Sequence, residues 1–65
     1  MEELHHPKIY YHIETDKRDR FKNTIEEALQ SIQYLYENGD TNIKLYREYE
    51  YTKDDIEEEF LFKIK

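Results

Sequence analysis

Apolar residues fall at every second position near the beginning of the chain. Ile9, Tyr11 and Ile13 follow this period of two, which is typical of a strand that buries one face. Pro7 stands shortly before them, and proline is tolerated where a strand begins because its nitrogen has no hydrogen to donate to a neighbouring strand. The pattern predicts a strand over residues 8–14.

The period changes to that of a helix after the first third of the chain. Six apolar residues recur three or four positions apart and form one stripe on a helix: Ile25, Ala28, Leu29, Ile32, Leu35 and Tyr36. Thr24 and Glu27 have the spacing of a capping box, which satisfies amide hydrogens at the helix start. Asn38 and Gly39 are typical of a helix end. We predict a helix over residues 25–38.

Two more segments with a period of two follow the helix, at residues 42–51 and 56–64. The four turn-forming residues between them are typical of a β-hairpin. We predict that the segments pair as antiparallel strands with Tyr51 opposite Ile56, because this register places most of the apolar residues on one face. A slip of one residue would exchange the two faces.

Arg47 is the exception to this pattern. In the predicted register it lies opposite Phe60, among apolar neighbours on the buried face. Either a β-bulge displaces the arginine, or its long side chain reaches the edge of the sheet and pairs with Glu58.

These elements predict a single α+β domain over residues 1–65. The element order is β-α-β-β, with a three-stranded, mostly antiparallel sheet and one helix packed on one face. The polar residues 15–23 predict a basic loop. The first strand pairs either with 56–64, which would then be central and which we favour, or with 42–51.

Composition limits the stability of this domain and its chemistry. A chain of 65 residues buries only about 60% of the surface of its unfolded form, so we expect a second copy to complete the core in a homodimer. The absence of cysteine excludes disulfides, thiolate nucleophiles and iron–sulfur sites. Residues with AT-rich codons are abundant, which indicates an AT-rich bacterium or its phage.

The net charge of −6 opposes direct binding to nucleic acids and to anionic membranes, because such binding depends on clusters of lysine and arginine. The first residues lack the basic and apolar parts of a secretion signal, and no apolar run approaches the roughly 20 residues of a membrane span. We therefore expect a cytoplasmic protein.

Few residues could support catalysis or hold a metal. Ser31 has no evident base beside it, and one glycine cannot form a glycine-rich phosphate loop. We predict no enzymatic activity and no cofactor. Three histidines and two glutamates stand near the beginning of the chain: His5, His6, His12, Glu2 and Glu3. Their spacing matches no closed zinc pattern, so we predict no metal site.

Carboxylates cluster in the predicted hairpin, where the register places Glu48 opposite Glu59 and Glu50 opposite Glu57. With the tip they form a set of six: Glu48, Glu50, Asp54, Asp55, Glu57 and Glu59. One interpretation is that these solvated charges prevent an edge hairpin from adding further strands. The other is that they form a partner-binding acidic face, with carboxylates about 6.5–7 Å apart along a strand, that imitates the charge row of a nucleic acid.

The face away from the helix is also predicted to expose a hydrophobic interface of Tyr10, Tyr46 and Leu61, with His12 as a further candidate. Tyrosine suits interfaces because it combines a large rigid ring with a polar tip. Scattered surface tyrosines are also common in proteins without such an interface.

A basic cluster surrounds Phe21 in the predicted loop: Lys17, Arg18, Arg20 and Lys22. It could hold a phosphate, and Phe21 could stack on a nucleic-acid base. In a chain with net negative charge we expect instead a solvated loop, or one that pairs with the acidic hairpin of a second subunit.

These features lead to two hypotheses of function. The first is a non-enzymatic inhibitor whose acidic hairpin occupies the nucleic-acid site of a host protein. In composition alone the chain resembles small phage-encoded inhibitors, some of which mimic DNA. The alternative is a homodimeric structural or regulatory protein that assembles through its tyrosine-rich sheet face.

Overall fold

The computed structural model describes residues 6–64, in which four strands and one helix form an α+β fold. These elements are β1 (Lys8–Glu14), β2 (Asp19–Lys22), α1 (Ile25–Glu37), β3 (Ile43–Thr52) and β4 (Asp55–Ile64). The strands form an antiparallel sheet in the order β2-β1-β3-β4. The helix packs on one face of this sheet.

Strand β2 is a correction to the sequence prediction, which assigned 15–23 to a loop and counted three strands. Asp19–Lys22 pairs with β1, so the element order is ββαββ and not β-α-β-β. The turn between them is closed by the Thr15 amide, which donates to the Arg18 carbonyl at 2.9 Å. β2 was missed because four residues that include one apolar side chain, Phe21, are too few to establish a period.

The favoured strand order was also wrong, because β1 pairs with β3 and not with β4. The β1–β2 hairpin reverses the chain before the helix begins. Since β2 and β3 are both antiparallel to β1, they run parallel to each other, and α1 connects them across β1. Strand β4, which contains the apolar residues 60–62, is therefore left at the edge of the sheet.

Helix α1 begins and ends at the capping residues. Thr24 Oγ1 accepts a hydrogen bond from the Glu27 amide at 3.1 Å, and Glu27 Oε1 accepts from the Asn23 amide at 3.3 Å. After Glu37, Gly39 adopts a φ of 91°, a left-handed conformation that glycine tolerates because it has no Cβ. The next amide, of Asp40, donates back to the Leu35 carbonyl at 3.0 Å.

The hydrophobic core lies between α1 and the strands β1 and β3. It consists of Tyr11, Ile13, Ala28, Ile32, Leu35, Ile43 and Leu45, with Ile25, Leu61 and Ile64 packed against it. The described chain is elongated, with extents of 49, 19 and 16 Å. Because every residue from 51 to 60 is exposed, the far end of the β3–β4 hairpin projects beyond the core.

A β-bulge corrects the predicted register of this hairpin. Ile43 lies opposite Ile64 and Leu45 opposite Phe62, as predicted, but the register then shifts so that Tyr46 lies opposite Phe60. Leu61 is the extra residue. It is half-buried and packs against the core, so its predicted place on the face away from the helix is wrong.

The bulge also explains the position of Arg47. The shift places Arg47 opposite Glu59, and its Nη1 lies 3.2 Å from Glu59 Oε1. A bulge was one of the two predicted explanations, whereas the predicted partner, Glu58, lies opposite Glu48 instead.

The turns at the core end of the sheet are joined by a buried carboxylate. Asp40, which is 2% exposed, accepts hydrogen bonds from Thr15 Oγ1 at 2.8 Å and from Arg18 Nη2 at 3.1 Å. Arg18 Nε lies 3.0 Å from the second Asp40 oxygen. Asp16 Oδ1 accepts from the Thr41 amide at 2.8 Å. Arg18 is therefore a structural residue that neutralises a buried charge.

Candidate functional site

The sheet face opposite α1, hereafter the open face, carries a row of aromatic rings across the strands. Phe21, His12, Tyr46 and Phe60 are successive Cα partners on β2, β1, β3 and β4. The His12 ring is parallel to Phe21 within 7°, with centroids 4.6 Å apart, and its centroid lies 5.7 Å from that of Tyr46. Tyr46 meets Phe60 edge-on at 5.6 Å. We call these four residues the aromatic row.

Three carboxylates surround the His12 imidazole. Its Nδ1 lies 3.4 Å from Glu48 Oε2 and 3.4 Å from Glu58 Oε2, and its Nε2 lies 3.0 Å from Asp19 Oδ1. The side chains of His12 and Glu48 are 17% and 11% exposed. We call His12, Glu48 and Glu58 the His12 cluster. Each contributes one potential metal-ligand atom, and these atoms lie within 4.8 Å of one another.

Register explains why these three side chains meet. Glu48 lies directly opposite Glu58, and Tyr10 lies opposite Glu48 on the other side. His12 is two residues from Tyr10 and therefore lies on the same face, next to both glutamates. Like charges in direct opposition destabilise a sheet, so the pair is costly without a neighbour that compensates it.

The electrostatics of the cluster follow from this crowding. Burial and a hydrogen bond with Glu58 raise the pKa of Glu48, while the hydrogen bond from Glu48 lowers the pKa of Glu58. Of the two glutamates, Glu48 is therefore the one that is more readily protonated. Burial alone would lower the pKa of His12, but hydrogen bonds to Asp19 and Glu58 outweigh it and raise the pKa.

The two tyrosines beside the cluster remain protonated at neutral pH. Burial and the neighbouring Glu48 raise the pKa of Tyr10. Burial and the neighbouring Glu14 raise the pKa of Tyr46, whose hydroxyl donates to Glu14 Oε1 at 3.5 Å. Both phenols can therefore act as hydrogen-bond donors on the open face.

Sequence reasoning did not find the His12 cluster. It grouped His12 with the first residues of the chain, of which Glu2, Glu3 and His5 lie outside the described residues. Glu58 was predicted only as a possible partner of Arg47, and Asp19 was not singled out. The two opposed glutamates are the signal that could have found the site, but only once the bulge and the β1–β3 pairing are known.

The structure divides the six predicted acidic residues between two faces. Glu48 and Glu50 lie on the open face, whereas Glu57 and Glu59 lie opposite Tyr49 and Arg47 on the helix side. The predicted pairs Glu48–Glu59 and Glu50–Glu57 are therefore not formed. Asp54 and Asp55 lie exposed at the tip.

Two of these carboxylates are committed to contacts within the chain. Glu48 is 9% exposed and belongs to the His12 cluster. Glu59 accepts hydrogen bonds from the Tyr49 hydroxyl at 2.7 Å and from Arg47 Nη1 at 3.2 Å. Hydrogen bonds to Tyr49 and Tyr11 raise the pKa of Arg47 further, so it is always charged. For the other four predicted acids, Glu50, Asp54, Asp55 and Glu57, no side-chain hydrogen bond or ion pair to another part of residues 6–64 is found; Glu50 is half-buried and the other three are exposed.

The hairpin nevertheless concentrates charge. Residues 48–59 contain seven acids and one base, Lys53, and therefore carry the whole net charge of −6, while the nine acids and nine bases elsewhere balance. We call residues 48–59 the acidic hairpin end. This is the part of the hairpin that extends away from the core.

Two of the three residues of the predicted hydrophobic interface lie on the open face. Tyr10 and Tyr46 lie half-buried on the open face. Leu61 does not, and the bulge brings Phe60 there in its place, 55% exposed. Phe21, 58% exposed, was missed as an interface residue because β2 was taken as a loop.

The predicted basic cluster is not one surface. Arg18 contacts Asp40, and Arg20 and Lys22 lie on the helix side of β2. Phe21 lies on the other face of β2 and stacks on His12.

Comparisons with protein families, with curated proteins and with solved structures found no match to this chain. Within residues 6–64, α1 is too short and too polar to cross a membrane.

Proposed function

We propose that this chain is a non-enzymatic binding protein whose acidic hairpin end enters a basic groove of another protein, one that binds nucleic acid or phosphate. The observation that carries the proposal is the concentration of the whole net charge in residues 48–59, at the projecting end of the hairpin. A partner groove built for phosphates would recognise this charge.

The distribution of the carboxylates over both faces suits insertion better than contact with a flat surface. Glu50 lies on the open face, Glu57 on the helix side, and Asp54 and Asp55 at the tip. A groove with basic walls would contact all of them. Such charge accelerates association through long-range attraction, and the affinity falls as salt increases.

Charge alone gives little affinity, because exposed ion pairs contribute less than about 1 kcal/mol each. Ile56 and Phe60 lie on the open face beside the acidic residues and are 47% and 55% exposed. They can become buried against a partner and supply the apolar contacts on which tight interfaces depend.

A charge-reversal experiment with a matched control tests this proposal. Wild-type protein captures partners from the lysate of an AT-rich bacterium, and the captured protein is then tested for nucleic-acid binding. Asp54→Lys/Glu57→Lys reverses two charges at the hairpin end, and Glu26→Lys/Glu37→Lys reverses two exposed charges on α1. Both variants have the same net charge.

We expect the hairpin variant to lose the partner and the helix variant to retain it. Salt or added DNA should release the partner from the wild type. Equal capture by both variants would contradict the proposal, because the location of the charges in the hairpin would then have no effect on binding.

The exposed ends of the aromatic row favour a second candidate, a homodimer that assembles through the open face. Phe21 and Phe60 are each more than half exposed, and a second copy would cover both. Phe60→Asp should then lower the mass measured by light scattering from dimer to monomer. Tyr34→Asp, which alters an aromatic residue 61% exposed on α1, should not change the mass. A monomeric wild type would exclude this candidate.

A further inference from the structure

We propose that the His12 cluster binds a divalent transition-metal ion of the zinc type. The ligands are His12 Nδ1 from β1, Glu48 Oε2 from β3 and Glu58 Oε2 from β4. This site is separate from the acidic hairpin function proposed above and does not depend on it.

The distances in the cluster fit the coordination shell of zinc. Zinc binds histidine nitrogen and carboxylate oxygen at about 2.0–2.2 Å in a tetrahedron, which separates neighbouring ligand atoms by about 3.4 Å. His12 Nδ1 lies 3.4 Å from the nearest oxygen of each glutamate. This separation is too long for strong hydrogen bonds but leaves room for an ion between the three atoms.

The imidazole is held in an orientation that suits a metal ligand. Its Nε2 lies 3.0 Å from Asp19 Oδ1, so a neutral ring that donates its Nε2–H there directs its Nδ1 lone pair towards the glutamates. Histidine ligands in metal sites usually donate their second nitrogen to a carboxylate in this way. Phe21 and Tyr46 lie against the two sides of the ring and restrict its rotation.

The local charge also favours a cation. Asp19, Glu48 and Glu58 together can carry three negative charges around one imidazole. Among the ion pairs of residues 6–64, these carboxylates contact no lysine or arginine. Glu48 is 9% exposed and directly opposes Glu58, an arrangement that a bound dication would compensate.

Ligand chemistry and access distinguish zinc from the hard cations. Magnesium and calcium require six or more oxygen ligands, whereas this site offers one nitrogen and two oxygens. Glu58 is 46% exposed at the side chain, so the ion can enter from the open face. Three protein ligands leave the fourth tetrahedral position for water.

Calorimetric titration of the full chain with zinc chloride tests the site. We expect one zinc ion per chain, with affinity at least tenfold lower in Glu58→Gln and His12→Gln. Asp19→Ala removes the outer contact to Nε2 and should weaken binding about 10- to 100-fold. The matched control is Glu57→Gln, which alters an exposed neighbour on the other face of β4 and should bind like the wild type.

Two further measurements separate this site from histidines at the start of the chain. His5→Ala/His6→Ala should retain zinc affinity, and cobalt bound to the wild type should give the intense visible absorption of a tetrahedral site. Magnesium should produce no saturable binding at the same concentrations.

Three results would overturn the proposal: no saturable zinc binding by the wild type, unchanged affinity in Glu58→Gln, or loss of binding in His5→Ala/His6→Ala. Circular dichroism of each variant verifies the fold. If His12→Gln unfolds, Glu58→Gln decides the question, because Glu58 is nearly half exposed and its amide has the same shape.

Discussion

The contact between Arg18 and Asp40 makes the strongest prediction about stability. Replacing Arg18 with methionine keeps a long apolar stem but leaves the Asp40 carboxylate, whose side chain is 0% exposed, without its positive partner. Removing one member of a buried ion pair costs about 3–5 kcal/mol. Because the Arg18 side chain is 34% exposed, we expect the lower end, about 3 kcal/mol.

This loss is large for so small a domain. At about 0.05–0.15 kcal/mol per residue, a chain of this length has a free energy of unfolding of about 3–10 kcal/mol. Asp40→Asn should cost less, about 1–2 kcal/mol, because Arg18 can regain water. The double variant Arg18→Met/Asp40→Asn should be more stable than Arg18→Met alone, since no buried charge is then left unpaired.

Urea unfolding followed by circular dichroism measures these differences. Arg20→Met serves as the control, because Arg20 is exposed and its loss should change the free energy of unfolding by less than about 0.5 kcal/mol. The reasoning is refuted if Arg18→Met is as stable as this control. It is also refuted if the double variant is less stable than Arg18→Met.

Three further predictions concern the bulge, the helix end and acid stability. Leu61→Ala should lower the free energy of unfolding by about 1–2 kcal/mol and Phe60→Ala by less; the reverse order in urea unfolding would contradict the bulge. Gly39→Ala should cost about 1 kcal/mol because of the positive φ, and equal urea midpoints would contradict this. Hydrogen bonding from the Thr41 amide lowers the pKa of Asp16. The ionised Asp16 carboxylate therefore stabilises the fold at neutral pH, and this stabilisation disappears as the pH falls through the folded-state pKa. The stability of Asp16→Asn should therefore decline less than that of the wild type between pH 5 and pH 2, and parallel declines would contradict the assignment.

Local patterns in the sequence are sufficient for β1, α1 and the first part of the hairpin. Alternation places Ile13 in the core, and the capping box places the start of α1 after Thr24. Near Ile43, only one register places the apolar residues of both hairpin strands on the same face. In each case the signal lies within a few residues of the element that it predicts.

The bulge could not be assigned from alternation. Residues 60–62 are all apolar, so a strand can place either Phe60 or Leu61 towards the core without exposing a charged residue in their place. The decision depends on Arg47, which in the continuous register would be enclosed by apolar groups. The bulge relieves this conflict by placing Glu59 opposite Arg47.

The His12 cluster could not be predicted from local sequence patterns, because its members are distant in sequence. His12 and Glu58 are separated by 46 positions, and they meet only because β1 and β4 both flank β3. The concentration of charge in residues 48–59 can be counted from the sequence. The extension of this segment beyond the core depends on where α1 packs on the sheet, which local sequence patterns do not predict.

The most direct test of the proposed function is displacement of labelled DNA from the protein that the wild type captures. Fluorescence anisotropy follows the DNA as wild-type chain, the Asp54→Lys/Glu57→Lys variant or the Glu26→Lys/Glu37→Lys control is added. We expect the wild type and the control to displace DNA at equimolar ratio, and the hairpin variant to leave it bound. Simultaneous binding of DNA and the wild-type chain would contradict the claim that the hairpin occupies the nucleic-acid site.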